Sequence, residues 1–148
     1  MAVVDASVYV ALLIPHEDGH GDAWAWLRGA HDAGEPILAP TILTTEVAAA
    51  ISRGAGQPAL ARRAVQHILS GTVVELMPVT VTLSRRAAGI AIDCRLRGAD
   101  AVYVALAERH RDELVTLDRQ QLERGAAVVT TRRPGSLTMN EARVGLGH

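Results

Sequence analysis

Four short, mostly apolar stretches of this chain are separated by segments with helical spacing. AVV at 2–4, PILAP at 36–40, VVELMPV at 73–79 and LVTLD at 114–118 lack the regular alternation of a strand with one face in water. Short, near-continuous apolar runs belong to strands covered on both faces, and the helical segments between them are what would cover them. The pattern predicts an α/β protein, a three-layer α/β/α sandwich around a mostly parallel central sheet. AAVVT at 126–130 is read as a last strand.

Helices are expected from a start capped by Ser7, and over 19–33, 41–53, 58–69 and 81–94. Others should start at about Ala99 or Asp100, after the Arg97-Gly98 break, and near Arg119. In the second of these helices, Trp24 and Trp26 stand about 200° apart, so both rings cannot face one core. Trp26 groups with Ala23, Leu27 and Ala30 as a buried stripe, which leaves Trp24, beside Arg28 and His31, as a candidate partner contact. A length of 148 residues suits one domain. It is read as 1–131, followed by a tail over 132–148 that carries Pro134, Gly135, Gly145 and Gly147 and is expected to be partly disordered.

Composition excludes several classes. The formal net charge of −1 provides no global field toward nucleic acid or an anionic membrane, so such contacts must come from a local patch. A single cysteine, Cys94, rules out an internal disulfide and a cysteine-based zinc site. The six histidines lack a metal-ligand pattern such as HExxH. No basic region precedes the first apolar run, which Asp5 interrupts, so it reads as neither a signal peptide nor a membrane span; a cytoplasmic protein is expected.

The acids carry the chemistry. In an open parallel sheet, functional groups gather beyond the carboxyl ends of the strands. Asp5 and Asp118 each close an apolar, β-prone run, while Glu46 and Asp100 interrupt the apolar beginnings of helices. Each has a modest explanation when taken singly, as a helix cap, a first-turn anion or a solvated edge. Converging, four carboxylates would repel one another unless a divalent cation compensated them, and oxygen-only ligands point to Mg²⁺ or Mn²⁺. Asp93 is read as an ordinary surface or arginine-paired residue.

VVDAS near the start, LTTEVAAAI about forty residues on, GADAVYVALA near residue 100 and LVTLDRQQL after it resemble the PIN-domain nucleases, most of all the VapC toxins of bacterial toxin–antitoxin pairs. The likeness spans roughly residues 2 to 130. It implies an acid quartet of Asp5, Glu46, Asp100 and Asp118, with Ser7 and Thr116 as nearby hydroxyls. It also implies RNA phosphodiester hydrolysis with Mg²⁺ or Mn²⁺, a homodimer, and a small cognate antitoxin. Within that quartet Asp5 and Asp100 are expected to be the principal metal ligands, Glu46 to help hold metal or orient water, and Asp118 to complete the site. Arginine pairs at 62–63, 85–86 and 132–133, with Arg95 and Arg97, are available to RNA phosphates, but none is assigned that role.

Rival readings are weaker. A phosphatase with a strand-end aspartyl nucleophile commonly has a second Asp two residues on, where this chain has Ser7. A receiver domain needs a lysine beside its aspartate and a P-loop needs Gly-Lys-Ser/Thr, yet the chain contains no lysine. A PIN-fold RNA-processing nuclease, or a non-catalytic scaffold, is the remaining alternative.

Overall fold

The computed structural model describes residues 1–135, so the expectation for the rest of the tail falls outside the described residues. Five strands form one sheet in the order β3-β2-β1-β4-β5, and every pairing is parallel. They are β1 (Ala2–Val4), β2 (Ile37–Pro40), β3 (Glu75–Met77), β4 (Glu113–Val115) and β5 (Thr131–Arg132). Every residue of β1 and β2 is buried, as are Leu114 and Val115 of β4, which is why these runs could dispense with polar alternation.

The helices are α1 (Ala6–Leu13), α2 (His20–Asp32), α3 (Leu43–Ala49), α4 (Pro58–Leu69), α5 (Val81–Cys94), α6 (Gly98–His110) and α7 (Arg119–Gly125). A right-handed crossover rule puts α1 to α4 on one face of the sheet and α5 to α7 on the other. The packing agrees: α1 rests on α2 and α3, α3 on α4, and α6 on both α5 and α7. The core joins the strands to inward stripes such as Ala61, Ala64 and Ile68 of α4 and Leu83, Ala87 and Ile90 of α5.

Several local expectations are corrected. The segment after α7 is not a strand at 126–130: Val128 and Val129 N–H both donate to the Gly125 carbonyl, closing a turn, and the chain joins the sheet only at Thr131–Arg132. β5 thus straddles the expected boundary between residues 131 and 132. The third helix begins at Leu43 rather than Thr41, and its alanine-rich end widens into a π-helical turn over Ala50–Gly54. Ser7 does not cap α1. Asp5 holds the N-cap backbone position without a side-chain cap bond, and Ser7, already inside the first turn, directs its hydroxyl elsewhere.

Helices α5 and α6 end on Arg95 and Arg111 with φ of 56° and 55°, a left-handed conformation that glycine adopts without a Cβ penalty. Arg111→Gly is therefore expected to stabilise the protein by about 1 kcal/mol, raising the melting temperature by about 3 °C. Thermal denaturation monitored by circular dichroism checks this; an unchanged or lower melting temperature contradicts it.

The topology fixes where a ligand site can lie. From β1 the chain moves outward to β2 and β3, then crosses back to β4 and β5, so the winding reverses between β1 and β4. Crevices beyond the carboxyl ends of strands at such a reversal are where open α/β sheets bind ligands. Here Asp5 N–H donates to the Val115 carbonyl at 3.2 Å, tying the end of β1 to the end of β4.

Candidate active site

Asp5 follows β1 directly and is 5% exposed. Its Oδ1 accepts from the Ser7 hydroxyl at 2.6 Å, and Ser7 Oγ accepts in turn from Leu117 N–H at 2.9 Å. A backbone donor beyond β4 thereby orients the hydroxyl that holds Asp5. Ser7 and Thr116 oxygens lie 3.5 Å apart, but each has one proton and each gives it elsewhere, Thr116 to Gln121 Oε1 at 2.7 Å. Burial pushes the Asp5 carboxyl up to about 7, against the opposing hydroxyl and backbone hydrogen bonds.

Thr116 is fully buried, and its oxygen also accepts Asp118 N–H at 3.0 Å. Asp118 lies past the end of β4 and caps α7, with Oδ1 accepting Gln121 N–H at 2.9 Å. Asp118 and Gln121 occupy the two ends of a capping-box spacing, but the glutamine side chain does not turn back to the cap. It runs inward, fully buried, accepting from Thr116 and donating to the Asp100 carbonyl at 3.3 Å. Gln121 therefore ties α7 to β4 and to the first turn of α6. Flipping its amide would face oxygen to the Asp100 oxygen, so this orientation is the one the network allows.

Asp100 is 7% exposed, in the first turn of α6. Burial raises its pKa, the Asp118 charge adds to that, and the Arg97 guanidinium opposes both. Arg97, at the N-cap of α6, donates from Nε to Asp100 Oδ2 at 2.9 Å and from Nη2 to Asp118 Oδ2 at 3.4 Å. One turn along α6, Tyr103 is 1% exposed and its hydroxyl faces Glu46 of α3. Tyr103 Oη and Glu46 Oε1 are both buried atoms with, among the described residues, no hydrogen-bond partner besides each other's side chain. Burial raises the Glu46 pKa, as does the Asp100 charge, while Tyr103 and Arg97 pull the other way. Burial, with Glu46, Asp5 and Asp100 nearby, drives the Tyr103 phenol above its ordinary range.

One neighbourhood thus gathers Asp5, Glu46, Asp100 and Asp118 at the β1/β4 reversal, with Ser7 and Thr116 beside Asp5. Sequence reasoning named Arg97 only as a cation available to RNA phosphates, not as a partner of the acids, and it missed Tyr103 and Gln121. The last two had a usable signal, since each stands three residues after an acid of the set, on the same helix face. Among the described residues no group of three carboxylate, imidazole or thiol side chains is drawn together into a ready-made metal cage, and Arg97 stands between two of the acids. The donor chemistry still suits a hard divalent cation. All four acids offer oxygen, and burial disfavours the charge on three of them.

Trp26 lies in the core with Ala23 and Ala30, as the helical spacing predicts, whereas Trp24 is 41% exposed. Trp24 nevertheless helps to hold the fold. Its Nε1 donates to the Leu12 carbonyl at 3.0 Å, and His20 Nδ1 meets the Ala11 carbonyl at 2.6 Å. Two last-turn carbonyls of α1 are satisfied by side chains of α2. Trp24→Phe keeps an aromatic ring and removes the donor, so it is expected to cost about 1 kcal/mol in urea denaturation. No measurable loss would show that the bond contributes nothing. Beside the indole lies a groove of about 500 Å³ lined by Leu27, Arg28, Glu35, Ile37 and Val73 among others.

Among the described residues no helix is long and apolar enough to cross a membrane. The family model described as PIN domain matches residues 2–127. No match is found among curated proteins. Solved structures do resemble the chain. Mycobacterium tuberculosis VapC20, described as a Sarcin-Ricin loop cleaving toxin, superposes with a TM-score of 0.70 at 20% identity, covering 88% of this chain and 97% of that one. FitAcB from Neisseria gonorrhoeae gives a TM-score of 0.67 at 21% identity over 93% of this chain and 100% of that one. VapBC2 from Rickettsia felis, solved on a DNA fragment from its promoter, gives 0.68 at 12% identity over 89% and 97%.

Proposed function

Because this chain belongs to the PIN domain family, we propose that it is a divalent-metal-dependent endoribonuclease, the toxin of a toxin–antitoxin pair. The observation that carries this reading is the gathering, at the β1/β4 reversal, of carboxylates whose charge burial disfavours. Buried acids of one sign are a burden on folding that an inert scaffold has no reason to bear.

In this reading Asp5 and Asp100 are the principal ligands of Mg²⁺ or Mn²⁺, with Glu46 and Asp118 completing the set. When bound, such an ion lowers the pKa of water and stabilises charge developing on the phosphodiester. The chain's own part is to hold the acids in register. Ser7 fixes Asp5 Oδ1, the Thr116–Gln121 pair fixes the turn that carries Asp118, and the Glu46 carboxylate, faced by the Tyr103 hydroxyl, would orient water. No side chain need serve as a covalent nucleophile.

The resembling structures include a toxin–antitoxin complex from Klebsiella pneumoniae. By that likeness the protein would be silenced by an antitoxin; the homodimer, the small size of that antitoxin and the cytoplasmic location remain what the sequence reading implies. The exposed face of Trp24 and its adjoining groove are the surface we assign to that antitoxin. RNA cleavage assayed with Mg²⁺, with Mn²⁺ and with excess chelator tests the main reading. Metal-supported cleavage that chelator abolishes is expected, and cleavage indifferent to chelator, or absent with either metal, rejects it.

A further inference from the structure

Arg97 places one guanidinium across two acids of the site, and the mode of that contact is informative. Its side chain is 72% exposed, yet it reaches inward to Asp100, 10% exposed, and Asp118, 27% exposed, using Nε for one and Nη2 for the other. It is not committed to capping α6, because it makes no side-chain cap bond. Its charge is also felt by Glu46, so three acids share this cation. A guanidinium donating to Asp100 Oδ2 blocks that oxygen from binding a divalent ion directly.

We propose that Arg97 is a displaceable counter-cation: it compensates Asp100 and Asp118 while no divalent ion is bound, gives them up to the ion, and then offers its planar fork to an RNA phosphate at the mouth of the site. This deepens the metal-nuclease reading and rests on it. An exposed arginine tethered at the N-cap of α6 remains within reach of the acids after it lets go, and its paired N–H donors match a phosphodiester better than a single point charge would. Metal and arginine then act in sequence at the same carboxylates.

The test measures binding rather than turnover. Mn²⁺ affinity is determined by calorimetry or electron paramagnetic resonance on the full chain, for the native protein, Arg97→Gln, Arg97→Lys and Asp100→Asn. Two partly exposed ion pairs, each a factor of about 1.5 to 5, must be broken for the ion to enter. Arg97→Gln is therefore expected to bind Mn²⁺ about two- to twenty-fivefold more tightly, with Arg97→Lys in between, because one ammonium cannot bridge both acids. In the presence of Ca²⁺, filter binding of a short RNA to Arg97→Gln should weaken about tenfold. Melting in chelator establishes that each variant is folded.

Unchanged or weaker Mn²⁺ binding by Arg97→Gln, in a protein whose native form binds Mn²⁺ and whose Asp100→Asn form does not, overturns this inference and leaves the nuclease reading standing. If the native protein itself binds no Mn²⁺, the metal reading fails and this inference falls with it. Tighter metal binding with unaltered RNA affinity removes the transfer to phosphate.

Discussion

Asp5→Asn is expected to abolish RNA cleavage and at the same time make the protein more stable at neutral pH. The two effects share one cause. Asp5 is almost wholly buried, and its folded-state pKa of about 7 lies above the ordinary 3.8 because its charged form is desolvated. Between those values the folded state holds a proton that the unfolded state has lost, so stability falls as pH rises from about 4 and levels off above about 7. The plateau deficit is at most about 4 kcal/mol, because each tenfold gain in proton affinity on folding costs about 1.36 kcal/mol once the proton is gone. Asparagine has the same shape and no charge, so the variant escapes the deficit at pH 8 and gains little at pH 4. Losing a metal ligand should cost about a thousandfold or more in cleavage.

Urea denaturation at several pH values, paired with cleavage assays, reads both effects. A variant that is less stable at pH 8 while still cutting RNA would remove Asp5 from the site and make it a structural acid. The same titration governs metal uptake. A carboxyl protonated below about 7 must lose its proton to bind a cation, so affinity should rise about tenfold per pH unit up to that point and then flatten. Added Mn²⁺ should raise the melting temperature of the native protein and leave that of Asp5→Asn unmoved, since only ions that bind the folded state stabilise it.

What the sequence made legible follows from how local each cause is. Asp5 and Asp118 stood out because each closes an apolar run, a local contrast that needs no tertiary information. Parallel pairing was legible for the same reason, since strands buried on both faces have no room for alternation. The exposed and buried tryptophans followed from rotation around α2. That the Trp24 indole would cap α1 did not, because the bond depends on where α1 ends relative to another helix. Arg97 bridging two acids was hidden by its separation of 21 residues from Asp118, a contact made only when α6 and α7 pack together. The last strand was misplaced because AAVVT has strand composition, while the turn closing on the Gly125 carbonyl displaces the pairing to Thr131.

Gln121 gives the second large effect, and it separates a positioning role from a packing one. Gln121→Leu preserves volume but strips the Thr116 hydroxyl of its acceptor and the Asp100 carbonyl of its second donor, beyond the helical one, both in a buried setting. Stranding the Thr116 proton should cost about 1 to 3 kcal/mol, and cleavage should fall about ten- to a hundredfold as Asp100 and Asp118 lose their common brace. Gln121→Glu discriminates further. When protonated, its carboxyl can still accept from Thr116 and donate to the Asp100 carbonyl; when ionised, it sets a lone pair against that carbonyl and adds a buried charge beside the other acids. A buried glutamate has its pKa raised, so its folded form holds the proton longer than the unfolded form does, and stability is lost as pH rises. Gln121→Glu should therefore be close to native at pH 5 and several kcal/mol weaker at pH 8, as read by urea midpoints. A side chain that only filled space would show the reverse ranking, with Gln121→Leu near native stability at both pH values.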